Sequence, residues 1–382
     1  MKKFAQNFKI SFLLLLSILF VACQGQNTAV DESSASSESQ EVVSFEEPDP
    51  AVDQTVTIRS IGDILIHDTV YQAAYTGDGY DFSSMFAPVA KYIGGADITT
   101  ANLEVIAAGN QLGVSSYPFF NAPEEIIDAL QDVGVDIVNN ATNHTLDFGA
   151  EGAHASIDAL QERDMMYFGS YDSWEDYNTP RIIEVGNVKV GFLSYANDAN
   201  GNYIPEDEPY LFTQIDQELI PLEIERINEM VDISIVNYHM GQEYEYYPNE
   251  WQEENFQLAW DAGANFVLGG HPHVLQPFAQ PNESQGGIYS HANFLSGQYE
   301  VDTKLGGIIE YTFRVKGEDV TLEGMRFMPT YNLGLPESAQ YLVVPLAEAA
   351  DYGFWDADYY FDVLTERMTT YTDNVEVVPY LD

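Results

Sequence analysis

The chain has 382 residues, with 14 Lys and Arg against 61 Asp and Glu, a formal net charge of −47. A charge of this size repels nucleic acid and anionic lipid headgroups, so neither is expected as a general partner, and an anionic substrate needs a metal or local cationic help to approach. It fits salty or alkaline surroundings, where screening suppresses self-repulsion.

At the N-terminus, Lys2, Lys3 and Lys9 precede an apolar run from Ile10 to Val21 that only Ser11 and Ser17 interrupt. That run is short for a membrane span and reads as a secretory signal. It ends in Val21-Ala22-Cys23, the pattern of a bacterial lipoprotein, so residues 1–22 are expected to be removed and Cys23 to carry a lipid. Cys23 is the chain's single cysteine, which leaves no disulfide framework. The expected location is the extracellular face of the cell membrane. Residues 23–54 hold eight acidic residues and no basic ones, with little to bury, and read as a disordered acidic tether.

From residue 55 onward the composition suits a large core, the whole chain being 45% hydrophobic and 13% aromatic. The pattern predicts strands over 56–66 and 96–105, a helix over 123–133, and a short strand over 136–139. Next come a helix over 149–163, a strand over 188–195, a helix over 216–230 and a strand over 233–238. A helix over 249–262 and a strand over 266–268 follow, and 287–331 turns to β-hairpin character. Alternating strands and helices argue for an α/β architecture. The late hairpins suggest a mixed sheet or a second packed sheet. Residues 55–332 are expected to form the main domain, and 333–382 an aromatic, acidic extension packed on it with a helix near 358–368.

Six of the seven histidines, His67, His144, His239, His271, His273 and His291, sit where an apolar run gives way to a polar turn. In α/β sheets ligands bind at the carboxyl ends of strands, so these segments can converge on one rim. Imidazole, carboxylate and amide groups together suit Zn, Mn or Fe. Asp63, at the end of the first strand, is a candidate first carboxylate ligand, and His67 could fold back as a second ligand. Glu104 is a candidate bridge between two cations, Asn143 offers a carbonyl oxygen, and His239, His271 and His273 offer nitrogens. His144, beside Asn143, is left free to act on substrate. His67, Asn102, His291 and Asn293 are further candidates for metal or substrate contact. Two divalent ions held ~3.5–4 Å apart would activate a water and stabilise attacking and leaving oxygens. His154, inside a helix, reads as a structural residue.

The segments Gly62-Asp63-Ile64-Leu65-Ile66-His67-Asp68, Ala101-Asn102-Leu103-Glu104, Ala141-Thr142-Asn143-His144-Thr145-Leu146-Asp147-Phe148-Gly149, Tyr238-His239-Met240-Gly241, Gly269-Gly270-His271-Pro272-His273 and Ser290-His291-Ala292-Asn293-Phe294 together resemble the CapA capsule-synthesis family, linked to poly-γ-glutamate. That family looks like a divergent branch of the calcineurin-like metallophosphoesterases. The resemblance covers roughly residues 56–298. It implies a four-layer α/β/β/α sandwich of two packed mixed sheets with the site at one end. It matches Asp63, Glu104, Asn143, His239, His271 and His273 to metal-type positions, and His144 to the general acid. Three departures from the wider phosphoesterase pattern stand out. Glu104 replaces a bridging aspartate, the histidine of Asp-x-His is missing unless His67 substitutes, and Ala292 replaces a glycine. The expected function is a metal-dependent hydrolase of phosphoesters or γ-glutamyl amides at the cell surface, with capsule polymer or its synthesis machinery as partner. The rival expectation is a non-catalytic, lipid-anchored assembly or export factor.

Overall fold

A computed structural model describes residues 52–334 and 340–382. The signal segment, Cys23 and the tether up to residue 51 lie outside the described residues. The chain first lays down β1 (Asp53–Leu65), β2 (Ile98–Asn102), β3 (Ile137–Asn139) and β4 (Met166–Phe168), which pair in parallel in that order. It then builds a second sheet from β5 (Arg181–Val185), β6 (Val188–Ala196), β7 (Ile233–His239), β8 (Phe266–Gly270), β9 (Leu275–Asn282) and β10 (Gln285–His291). Here β6, β7, β8 and β10 run parallel, with β5 and β9 antiparallel at the edges. Finally it returns to the first sheet with β11 (Asn293–Ser296), β12 (Leu305–Lys316) and β13 (Asp319–Leu333). Leu342–Pro345 and Val375–Val377 pair on β13, so the C-terminal segment adds strands to this sheet as well as a helix.

The two-residue period of the strands sorts side chains into layers. On β1, Val56 and Ile58 enter the core between the sheets, while Ile61 faces the outer side. On β12, Ile309, Tyr311, Phe313 and Val315 face inward and Ile308 outward. The second sheet answers with Val190, Phe192, Ile235, Phe266 and Phe278, and the rings of Phe266 and Tyr311 stack 3.9 Å apart across the gap. Five of the helices form the outer layers. α1 (Asp68–Ala74), α2 (Glu125–Asp132) and α3 (Gly149–Glu162) cover the outer face of the first sheet; α4 (Ile220–Asn228) and α5 (Glu250–Asp261) cover that of the second. The result is an α/β/β/α sandwich of two mixed sheets. Among the described residues no helix is long and apolar enough to cross a membrane.

Among the elements that periodicity does not reveal are two strands of the described residues. β4 has three residues, and β5 is a half-exposed edge strand. The strand expected over 96–105 stops at Asn102, because the chain there turns out of the sheet toward the site.

Candidate metal centre

The parallel strands of both sheets point their carboxyl ends to one side. β1 delivers Asp63, β7 ends at His239 and β10 at His291, and the turns after β2, β3 and β8 carry Glu104, Asn143, His271 and His273. Asp63 sits where β1 changes register against β2 and β11, a bulge that re-aims its side chain. The approach is close: a Cβ on Gly62 would lie 2.0 Å from the Ala292 carbonyl oxygen, which accepts the Asp63 N–H at 2.8 Å. A Cβ on Gly270 would lie 2.8 Å from His291 Nε2 and 3.2 Å from Asp63 Oδ1, inside the cluster itself. His271, His273 and Ala292 all have positive φ, of 94°, 60° and 59°. Such conformations cost energy in non-glycine residues and concentrate at functional sites.

Ligating atoms of Glu104, His239 and His271 lie within 4.8 Å of one another, as do those of Asp63, Glu104 and His273. Glu104 belongs to both groups. Its Oε1 lies 3.3 Å from His239 Nε2, and its Oε2 lies 3.8 Å from His273 Nδ1. Asn143 Oδ1 lies 2.8 Å from the same His239 Nε2, extending the first group to four residues. Asp63 Oδ1 accepts from Asn102 Nδ2 at 2.6 Å and meets His291 Nε2 at 3.0 Å. These contacts fix the carboxylate, and the Asn102 carbonyl is turned away to Asn139. Asn293 Oδ1 contacts His273 Nδ1 at 3.1 Å and so orients the imidazole.

Whether divalent cations suit this cluster is tested by its unmet bonds. Asp63 Oδ2, both oxygens of Glu104 and His271 Nδ1 are buried without a hydrogen-bond partner. Buried polar atoms are nearly always satisfied, and unpaired carboxylate oxygens and an imidazole nitrogen in one place are a divalent-cation donor set. The residues fit such ions. Burial, then the neighbouring Asp63 charge, pushes the Glu104 carboxyl well above its usual range. Burial also opposes ionisation of Asp63, but the approach of His273 and His291 outweighs it and holds that carboxyl well below. Burial, then the nearby His271, drives His239 well down; burial, then His273, lowers His271 to about 4. Both histidines are therefore held neutral, the form in which imidazole binds metal.

His144 is buried beside this cluster but belongs to neither ligand group. Its Nδ1 lies 2.7 Å from Asp147 Oδ2, which also accepts the Phe120 N–H at 2.6 Å. The carboxylate requires the proton on Nδ1 and leaves Nε2 free. The ring packs edge-on against Phe120 at 4.7 Å, and His67 does the same from another side at 4.9 Å.

The structure thus brings together Asp63, Glu104, Asn143, His239, His271 and His273, with Asn102, His291 and Asn293 supporting them. It does not bring His67 into either group. That residue stands at the N-cap position of α1 without a side-chain cap bond, and its Nδ1 lies 3.1 Å from the Gly297 N–H and 3.0 Å from the Leu65 carbonyl, of which it can bond one at a time. Burial lowers it to about 4. His154 bonds Asp172 and Glu208 and belongs to neither ligand group. Sequence reasoning gave no role to Asp147, although its place three residues after His144 is the signal for a supporting carboxylate. It also passed over Asn139 and Asn200, which meet Asn102 and Asn143 through contacts that no local spacing announces.

Four layers, with carboxylate, imidazole and amide donors gathered at the strand ends, define an α/β/β/α protein with a candidate metal centre. The family model described as bacterial capsule synthesis protein PGA_cap matches residues 57–298, and the chain belongs to that family. It is 28% identical over 273 residues to the capsule biosynthesis protein CapA of Bacillus anthracis, covering 69% of this chain and 65% of that protein. It is 24% identical over 268 residues to the PGA biosynthesis protein CapA of Bacillus subtilis strain 168, covering 69% and 70%. Among solved structures it is similar to the calcineurin-like phosphoesterase YfkN of Bacillus subtilis, with a TM-score of 0.45, 15% identity, and 73% and 91% of the two chains covered. It is also similar to the NAD nucleotidase NadN of Haemophilus influenzae, with a TM-score of 0.47, 10% identity, and 87% and 65% covered.

Proposed function

We propose that this protein is a metal-dependent hydrolase anchored at the cell surface through Cys23, acting on a capsule polymer of the poly-γ-glutamate type or on phosphoester groups during its assembly. The observation that carries the reading is the shared, unpartnered Glu104 between two sets of ligands. Asp63, Glu104 and His273 would hold one ion, and Glu104, His239, His271 and Asn143 the other. When bound, a pair of divalent cations supplies Lewis-acid polarisation and water of lowered pKa. The chain's own groups do the rest. Asn102 and His291 hold the Asp63 carboxylate, and Asn293 orients His273. Asp147 fixes His144 with its proton on Nδ1, so that Nε2 is the atom placed to hold or deliver a proton to a leaving group. A purely structural role gives no reason for a fixed imidazole beside unpaired buried carboxylates.

The test is metal analysis of the purified chain, followed by hydrolysis of a phosphodiester and of poly-γ-glutamate after loading with Mn, Zn or Fe. Metal in about two equivalents with cleavage of either substrate supports the reading. Metal binding without cleavage of either, together with a His144→Ala protein that still sustains capsule formation in cells, favours the assembly factor.

A further inference from the structure

The mouth of this site has an unusual charge balance for a protein that handles anionic polymer. Seven segments form it: residues 62–75, 102–122, 139–151, 196–216, 239–252, 270–276 and 291–303. None contains a Lys or Arg; Arg367, which packs on Tyr246 at 4.0 Å, is 9% exposed and lies 3.8 Å from Asp302. Acidic side chains stand near the centre instead: Glu243 lies within electrostatic reach of Glu104 and His271, and Asp198 of His271. A chain carrying free carboxylates is therefore repelled on entry, most strongly where salt is low.

What the mouth offers is aromatic surface. Tyr117 is 78% exposed, and its ring lies 6.4 Å from Phe120, the ring packed between His67 and His144. Tyr244 is 51% exposed, with its ring 6.0 Å from His273. It holds a φ of 66°, and its N–H bonds the Pro272 carbonyl at 2.9 Å, so the backbone that carries it is tied to the His-Pro-His turn. The Tyr244 phenol is within electrostatic reach of both Glu104 and Tyr117. The two rings thus approach the centre from the His144 side and the His273 side. Beyond Tyr244 runs a groove of about 300 Å³ lined by Tyr244, Gln298, Tyr299, Glu300 and Thr303. Gln298 accepts from Asn293 Nδ2 at 2.9 Å, which links the groove to the residue behind His273. Exposed aromatic rings stack on flat faces such as amide planes and gain little from free charge.

We propose that Tyr117 and Tyr244 clamp a charge-neutralised stretch of amide-linked polymer, its carboxylates paired with divalent cations, and that the mouth rejects the same chain as a free polyanion. This rests on the reading that the substrate is a carboxylate-bearing capsule polymer. The reacting group enters the centre behind the clamp, where the Asp63 and Glu104 oxygens would hold the ions, and the groove past Tyr244 takes the chain on one side of it.

The experiment is equilibrium binding of poly-γ-glutamate oligomers to the full, metal-loaded chain. The sodium form should bind more tightly as NaCl rises from ~0.05 to ~0.5 M, the reverse of an attractive ionic contact. Millimolar Ca at constant ionic strength should strengthen binding further. Tyr117→Ala and Tyr244→Ala should each weaken binding of the Ca form by about three- to tenfold, on the order of one aromatic contact, with metal content unchanged, while Tyr→Phe at either position retains it. Sodium-form binding that weakens with salt, or Ala variants that bind the Ca form as the parent does, would overturn the proposal. Turnover is read separately on the parent with a small phosphodiester. Failure there removes the hydrolase reading and leaves the binding result standing.

Discussion

Strand β1 carries two buried charges four residues apart, and the protein treats them in opposite ways. Arg59 is completed by its neighbours. Its Nε and Nη2 donate to Glu310 Oε2 at 2.8 and 2.6 Å, and its Nη1 donates to the Tyr92 carbonyl at 2.7 Å. Arg326 Nη1 donates to the other Glu310 oxygen at 3.1 Å. Asp63 is equally buried, yet its Oδ2 has no hydrogen-bond partner, and neither oxygen of the nearby Glu104 has one. A buried charge is tolerated when paired and costly when not. The satisfied cluster is therefore structure, and the unsatisfied one is kept open for something the chain does not supply.

The sharpest way to break this contrast is to neutralise one carboxylate of each kind. Glu104→Gln should lower metal affinity by more than about 100-fold, since even supporting residues around a metal site are worth 10–100-fold. The metal-free variant should melt no lower than the parent, because a poorly placed carboxyl has been removed. Arg59→Met should instead destabilise the protein by about 3–5 kcal/mol, because Glu310 is left buried with part of its pairing gone. Denaturant unfolding of both metal-free variants decides it. Equal destabilisation by the two changes would abolish the distinction.

His144→Ala tests whether the open cluster is served by a proton carrier. Turnover should fall by ~10²–10⁴-fold while metal content holds, as for loss of a general acid. Loss of metal along with activity would make His144 a ligand and break the division of roles.

His154 sharpens the satisfied side of the comparison through pH. Burial works against its charge, but Glu208 and Asp172 on its two nitrogens raise its pKa above the ordinary value. A group with a raised folded pKa contributes stability that is fully present below the unfolded value of about 6.5 and is lost as pH rises through the folded one. Removing the imidazole should thus lower Tm more at pH 5 than at pH 9. A His154→Ala penalty that is flat across that range, or larger at high pH, would remove His154 from the set of paired charges.

The smallest effect belongs to the backbone of the open cluster. Ala292 sits at a φ of 59°, where an L residue is strained by roughly 1–2 kcal/mol and glycine is not. Glycine also loses more chain entropy on folding, by roughly 0.5–1 kcal/mol. Ala292→Gly should therefore stabilise the protein by no more than about 1.5 kcal/mol, read as a small rise in Tm with metal content unchanged. A loss of stability would mean that the Ala292 methyl, buried in the core between the sheets, outweighs the strain.

The sequence by itself determined the alternation of strands and helices, because a two-residue or 3.6-residue apolar period is a local property. It also placed Asp63, Glu104, Asn143, His239 and the two histidines of His-Pro-His at the ends of those elements, since polar residues halting an apolar run are visible without a fold. Three-residue β4 and half-exposed β5 leave too little pattern to see, and the strands of the C-terminal segment are defined by pairing on β13 rather than by their own composition. Tertiary structure alone decided which candidates meet. It turned His67 to the Leu65 carbonyl, set Asp147 under His144, gave Glu104 to both ligand groups and left its oxygens without partners. Those outcomes depend on distances between segments far apart in the chain, fixed by sheet register and by close backbone contacts such as Gly62 against Ala292, which no local pattern encodes.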